Sequence, residues 1–378
     1  MPDSARAPGG VTALMPSGYR DPLRPSGGNN YDAHLLDGLR RDGWQLTETT
    51  TPDPGPEPDR AGLERLDATL AGIPDGALVL ADGLVTTAAA AVVVPHSRRL
   101  VVVVVLHLPR SLPLDGPVAR APHGVISDSE RRVLAAAAGV IATSRWTASW
   151  IAEQPGLADV SVTVASPGAE PAPRAVGAPA GSEAGPNLLF LGRLATHKGV
   201  EVLAHALGML ADVPWQCWCV GPADNLAVMA DVRRTIERAN LSTRVHLTGA
   251  LTGTALADRM HATDLLLVPS RFETYGMVIT EALARGIPVV ATDVGGIGEA
   301  LGSDREGRRP GRLIPPDDPA ALAAAVHAWL TGPSLRRLWR ETAHRRRDEL
   351  GDWSRTARLV AGALITARRR PHDREAQR

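Results

Sequence analysis

Two carboxylates stand eight positions apart between residues 270 and 286, Glu273 in a loop and Glu281 on the helix that follows it. Gly276 leads into Met277, Val278, Ile279 and Leu283 at helical spacing, and Gly286 stands where a left-handed residue ends a helix. A helix N-terminus offers unpaired backbone N–H groups and partial positive charge, which suits phosphate. Carboxylates beside a phosphate position suit the hydroxyls of ribose and of sugars, because each can accept two hydrogen bonds side by side. Cations occur in the same half of the chain, Arg193 after Gly192 and Lys198 before Gly199. In the other half His107 follows the apolar run 100–106, whose five central valines are β-branched, so a buried central strand would deliver it at its C-terminal end.

Such residues need a frame that gathers strand ends. The apolar runs 264–268 and 288–292 flank the stretch 270–286 and read as buried parallel strands. Further strands are expected at 11–15, 77–80, 100–106, 140–143, 160–165, 187–191, 217–220, 245–248 and 312–314, with helical patterns between them. Residues 16–28 read as a glycine loop, residues 47–58 as a Thr- and Pro-rich loop, and Ser127 with Glu130 as a helix-capping box. This alternation predicts an α/β fold of two Rossmann-like, doubly wound parallel-sheet domains. Pro, Gly, Ala and Glu crowd the aperiodic segment 167–186. The expected division is a first domain at 1–168, a linker at 169–186, a second domain at 187–350, and a C-terminal helix in 351–378 packing back on the first. Open sheets bind ligands at their carboxyl edges. Two such edges facing a cleft would carry Gly28, His107, Arg193, Lys198, Glu273, Tyr275, Gly276, Met277, Val278 and Glu281, an inventory that fits a nucleoside diphosphate sugar.

Composition narrows the alternatives. At 378 residues the chain is too long for one ordinary core. Lys plus Arg and Asp plus Glu both number 41, which argues against a nucleic-acid partner. The two cysteines, Cys217 and Cys219, alternate along one strand and read as core residues rather than a metal or redox site. A cytoplasmic setting is the default for such a chain, and neither a membrane span nor a signal-peptide core is expected. The arginines at 345–347 and 368–370 fall near helix ends, where they complement the dipole, so peripheral membrane contact is the minor reading.

Phe190, Leu191, Gly192 and Arg193 with Lys198 and Gly199, then residues 270–281, residues 286–291, and Gly295 and Gly296 with Glu299, resemble the signature of glycosyltransferase family 4, retaining enzymes of GT-B fold. Glu273 and Glu281 match its E-x7-E motif, while Gly27, Gly28, His107, Glu130, Thr143, Ser144, Pro167 and Gly168 follow the family order in the first half. The resemblance implies that Arg193 and Lys198 neutralise the leaving diphosphate of a UDP- or GDP-sugar, with no metal or other cofactor. It implies that Glu273 holds donor-sugar hydroxyls, that backbone N–H groups after Gly276 reach phosphate or sugar, and that Glu281 takes the ribose. Gly28 would let the backbone approach the diphosphate or the acceptor, and His107 would sit near the donor sugar. Tyr275 stands where Phe is common. The acceptor, a hydroxyl on a small molecule, glycan or lipid-linked compound, is not specified by these motifs. The alternatives are another GT-B enzyme, of epimerase or phosphorylase type, and a nicotinamide dehydrogenase. For the latter, Gly296, Gly298 and Leu301 nearly spell G-x-G-x-x-G.

Overall fold

The structure, a computed structural model, describes residues 9–21, 26–53, 55, 57–112, 126–223 and 225–375, with side chains as far as residue 369. These residues form two compact units, one drawn from residues up to 112, from 126 to 168 and from 351 onward, the other being Ala169–Leu350.

The first unit holds strands β1 (Gly10–Pro16), β2 (Gln45–Thr51), β3 (Leu78–Asp82), β4 (Val101–Leu106), β5 (Gly139–Ala142) and β6 (Val162–Val164). Helices α1 (Gly27–Arg41), α2 (Arg60–Ala71), α3 (Gly83–Thr86), α4 (Ala90–His96), α5 (Asp128–Ala136) and α6 (Arg145–Glu153) lie between them. The order is β2-β1-β3-β4-β5-β6, all parallel. β4 is buried along its whole length, as a central strand covered on both faces must be. The chain leaves β1 in one direction to form β2 and returns past it to form β3, so the carboxyl ends of β1 and β3 flank the point where strand order reverses.

Two expectations are corrected here. Residues 45–51, part of which read as loop, form β2, paired with β1 from Gly10↔Gln45 to Pro16↔Thr51. Four threonines in that strand favour extended backbone, and an edge strand needs no apolar run because only one neighbour pairs with it. Gly27 and Gly28 belong to the first turn of α1 rather than to a loop, because the Ser26 hydroxyl caps the helix by accepting from Asn29 N at 3.0 Å. Of the loop expected before them, residues 22–25 lie outside the described residues.

The second unit repeats the plan with β7 (Asn187–Leu191), β8 (Gln216–Val220), β9 (Val245–Gly249), β10 (Leu265–Val268), β11 (Val289–Thr292) and β12 (Gly311–Ile314). Its sheet is parallel in the order β12-β11-β10-β7-β8-β9. Its helices are α7 (Val200–Gly208), α8 (Leu226–Arg238), α9 (Gly253–His261), α10 (Met277–Leu283), α11 (Ile297–Leu301), α12 (Pro319–Thr331) and α13 (Pro333–Arg347). Strand order reverses between β7 and β10, which places the loops after these two strands at the position where open sheets take ligands. Cys217 and Cys219 lie in the apolar core under α7 and α12.

The last helix, α14 (Trp353–Glu375), belongs to the first unit and lies along α1. A Cβ at Gly38 would come 2.7 Å from that of Ala357, so the two helices approach more closely than a side chain permits. Trp353 stacks on His34 at 4.5 Å, and the Thr356 hydroxyl donates to the Ser166 carbonyl at 2.7 Å. Among the described residues no helix is long and apolar enough to cross a membrane. Gly38→Val should force α14 off α1 and cost about 1–3 kcal/mol of stability. Hydrogen exchange should rise in α14 and stay unchanged in the second unit; unchanged exchange in α14 would show that the close approach is not needed.

Candidate functional site

The loop after β10 is held on both sides by backbone packed against backbone. On the β7 side, a Cβ at Gly199, whose φ is 69°, would lie 2.0 Å from the Pro269 carbonyl oxygen. On the β11 side, Cβ atoms at Gly295 and Gly296 would lie 1.8 Å from Glu273 O and 2.1 Å from Thr274 O. Gly296 N donates to Glu273 O at 3.0 Å, and the Thr292 hydroxyl donates to Ser270 O at 2.5 Å. Arg271 secures the other flank. Its backbone N donates to His197 O at 2.8 Å, and its guanidinium reaches Thr196 O at 2.5 Å, Asp317 at 2.5 Å and Glu201 at 3.3 Å.

This clamping brings Lys198 Nζ to 2.5 Å from Glu273 Oε2, across 75 positions of sequence. The two side chains remain 26% and 15% exposed, so the pair is reachable from solvent. Lys198 ends a single 3-10 turn, Thr196–Lys198, and Arg193 lies on the same loop after β7. Gly276, at φ 94°, is the N-cap of α10, and no side chain caps that end. The structure places Tyr275 in the apolar core beneath the loop, with Met277 and Val278 packed against the same cluster. Because Gly296 is pressed against the loop after β10, the first glycine of the near match to a dinucleotide fingerprint serves packing between loops.

Glu281 lies one turn of α10 beyond Met277. Burial pushes its carboxyl up to about 7; Arg285 opposes that shift and Glu170 adds to it. Arg285 does not bond the carboxylate: its Nη1 donates to the Glu281 carbonyl at 2.9 Å. Glu281 is therefore a carboxylate whose charge the protein only partly compensates.

In the first unit His107 follows β4, and its Nε2 lies 2.8 Å from Asp32 Oδ1 on α1. Gly28 borders the ring, since a Cβ there would be 3.4 Å from His107 Cδ2. The Tyr31 ring meets the imidazole edge-on at 5.0 Å, and Tyr31 itself is anchored by its hydroxyl to Ala165 O at 2.8 Å. Asp82, the last residue of β3, completes a group of three whose ligand atoms lie within 4.8 Å of one another. Burial would lower the His107 pKa, but the charge and hydrogen bond of Asp32, with Asp82 behind it, raise it to about 9. Burial and the Asp32 charge push Asp82 up to about 8, against the pull of His107. The Nε2–Oδ1 contact is already closed as a hydrogen bond, so an ion bridging these two atoms would have to displace that proton.

The second unit supplies the decisive comparison. Residues 185–332 match the family model described as glycosyl transferases group 1. The matching segment contains Arg193, Lys198, Glu273 and Glu281. D-inositol 3-phosphate glycosyltransferase from Kineococcus radiotolerans is 31% identical over 236 residues, 59% of this chain and 52% of that protein. 2-Deoxystreptamine glucosyltransferase from Streptomyces kanamyceticus is 31% identical over 228 residues, 57% of each chain. The chain thus spans about half the length of the curated relatives it matches. Over nearly the whole chain it shares its fold with sucrose-phosphate synthase from Thermosynechococcus elongatus, at TM-score 0.72 and 23% identity, covering 94% of this chain and 98% of the other. The Anabaena protein HepE, solved with UDP and glucose, gives TM-score 0.68 at 20% identity, covering 94% and 99%. The fold is GT-B, with two Rossmann-like halves.

Sequence reasoning missed Asp32 and Asp82. Asp82 carries the same signal as His107, a polar residue ending a buried run, whereas Asp32 is a carboxylate on the buried face of α1 beside Tyr31 and Leu35. Glu130 is a further correction. The Ser127 hydroxyl accepts from Glu130 N at 3.2 Å, as a capping box requires, but the Glu130 carboxylate does not return to the helix end. It accepts instead from Arg110 N at 2.9 Å and Ser111 N at 3.1 Å, and so latches the loop that follows His107.

The raised Glu281 pKa has a definite sign. A carboxyl that is harder to ionise in the folded chain contributes stability that is fully present below its unfolded value of 4.5 and is lost as pH rises through about 7. Between those limits the wild type should lose roughly 1–3 kcal/mol relative to Glu281→Gln, and no more than that, because partial exposure leaves solvent to screen the carboxylate. Urea denaturation of both proteins from pH 4 to pH 8 checks this; parallel pH profiles would contradict it.

Proposed function

We propose that the chain is a retaining glycosyltransferase, moving a hexose from a nucleoside diphosphate sugar, with UDP or GDP as the nucleotide, to an acceptor hydroxyl. The observation that carries the reading is the Lys198–Glu273 pair, assembled at the strand-order reversal of the second sheet and left accessible. An ammonium and a sugar-binding carboxylate side by side suit a diphosphate and the hexose attached to it. The match to glycosyl transferases group 1 over residues 185–332 supports the same reading. In this proposal residues 187–350 form the donor half, residues 169–186 the linker, and residues 1–168 with 351–378 the acceptor half.

The proposed chemistry follows from charge. A partly exposed ion pair is worth on the order of 1 kcal/mol, so an arriving diphosphate can draw Lys198 away from Glu273. Lys198 and Arg193 then stabilise the diphosphate as the bond to the anomeric carbon breaks. Released from the ammonium, Glu273 accepts hydrogen bonds from donor-sugar hydroxyls, while backbone N–H groups at Met277 and Val278 face phosphate or sugar. Glu281 takes the ribose hydroxyls, and nucleotide affinity accordingly rises as pH passes through about 7, because the ionised carboxylate is the better acceptor. The acceptor hydroxyl attacks the face the diphosphate leaves, and a donor phosphate oxygen takes its proton. Retention then needs no protein nucleophile, and with two cations in place the scheme calls for no divalent ion. His107 and Gly28 lie on the donor-sugar or acceptor side. The acceptor is a small molecule, a glycan or a lipid-linked compound.

A thermal-shift panel of UDP, GDP, ADP and their sugars should raise the Tm with at least one nucleotide; no rise with any of them would remove the basis of the proposal. With the responding donor, Lys198→Ala should lower turnover about 100- to 1000-fold, while Glu281→Ala should chiefly weaken nucleotide binding. Wild-type turnover in Lys198→Ala would contradict the phosphate role.

A further inference from the structure

The first unit buries two carboxylates around one imidazole, and the chemistry proposed above calls on the imidazole alone. Asp32 is fully buried and Asp82 is 1% exposed, yet one oxygen of each, Oδ2, is buried with no hydrogen-bond partner among the described residues. The remaining oxygens are engaged: Asp32 Oδ1 faces His107 Nε2 at 2.8 Å, and Asp82 Oδ1 accepts from Leu84 N at 2.7 Å as the cap of α3. Removing a carboxylate from water is strongly unfavourable unless opposite charge or hydrogen bonds compensate it. Two of them side by side with a neutral imidazole would leave an uncompensated double negative charge in the core. The arrangement is electrically reasonable only if protons are retained within the cluster.

We propose that Asp32, supported by Asp82, is the positioning residue for His107, accepting its Nε2–H so that the ring presents Nδ1–H as a donor to a ligand oxygen. This rests on the donor-site reading only for the identity of that oxygen, a sugar hydroxyl or a phosphate. The geometry of the cluster stands without it. Among the described residues, Asp32 on α1 and Asp82 on β3 are the charged groups facing the ring, and the Tyr31 ring meets it edge-on. The values of about 9 for His107 and about 8 for Asp82 agree, since they leave His107 charged and Asp82 neutral at neutral pH. A neutral His107 could use Nδ1 only as an acceptor once Nε2–H is committed to Asp32. The carboxylates therefore decide whether this ring gives or receives a hydrogen bond.

Imidazole proton–nitrogen NMR spectra of 15N-histidine-labelled protein, without any donor, test the inference from pH 6 to pH 10. His107→Gln identifies the signal. Both His107 nitrogens should report imidazolium at pH 7.5, and Asp32→Asn should lower the titration midpoint by about 1–3 pH units. Asp82→Asn should lower it in the same direction, which keeps the test open if Asp32→Asn does not fold, and Asp32→Glu should restore part of the wild-type midpoint. A neutral His107 at pH 7.5 in the wild type would overturn the proposal, as would a midpoint unmoved by either asparagine variant. Selective loss of the His107 signal on adding Mn2+ would also overturn it, by showing that the cluster binds an ion in place of the proton. None of these outcomes depends on nucleotide binding, so failure here and failure of the glycosyltransferase reading are separable.

Discussion

The second unit depends on how closely its backbone segments approach at the carboxyl end of β10. The loop leaving this strand is trapped between the chain after β7 and the chain after β11, with Gly199 against Pro269 on one side and Gly295 and Gly296 against Glu273 and Thr274 on the other. At each of these three positions a Cβ would fall between 1.8 and 2.1 Å from a carbonyl oxygen, far inside van der Waals contact, so nothing but glycine fits. The sheet order explains why these loops meet. β10 lies between β7 and β11, and strand order reverses between β7 and β10. Lys198 and Glu273 stand on the two clamped loops, which bring their side chains within reach of one another, and their ion pair follows from that placement.

The first unit handles its carboxyl edge differently. There the constraint is electrostatic, a histidine delivered by β4 into contact with a carboxylate from α1 and near another from β3. Glu130 holds the next few residues by accepting from Arg110 N and Ser111 N. One sheet thus offers a solvent-reachable cation and carboxylate, the other a histidine held by buried acid. The two edges differ in how readily their groups can exchange partners.

Much of this was legible in the residues. The five consecutive valines of β4 announced a central strand and placed His107 at its end, and the glycines around Lys198 and Glu273 pointed to those residues by spacing alone. The α/β alternation predicted both parallel sheets. What could not be read were relations whose partners are distant in sequence. Asp32 and His107 are 75 positions apart, and nothing local distinguishes Asp32 from an ordinary helix carboxylate. The strand β2 was hidden because its threonines and glutamate suit loop and edge strand equally, and pairing with β1 decides between them. Glu130 was misread for a related reason: its backbone does cap α5 with Ser127, but its side chain serves a loop 20 residues earlier.

The central claim is that Lys198 changes partner, from Glu273 to a diphosphate. A crystal structure of the chain with UDP or GDP bound, whichever raises the Tm, tests it most directly. The account predicts Lys198 Nζ on a diphosphate oxygen, Glu273 released from it, and the Glu281 carboxylate on the ribose hydroxyls. A nucleotide bound with Lys198 still paired to Glu273 and the diphosphate elsewhere would contradict it.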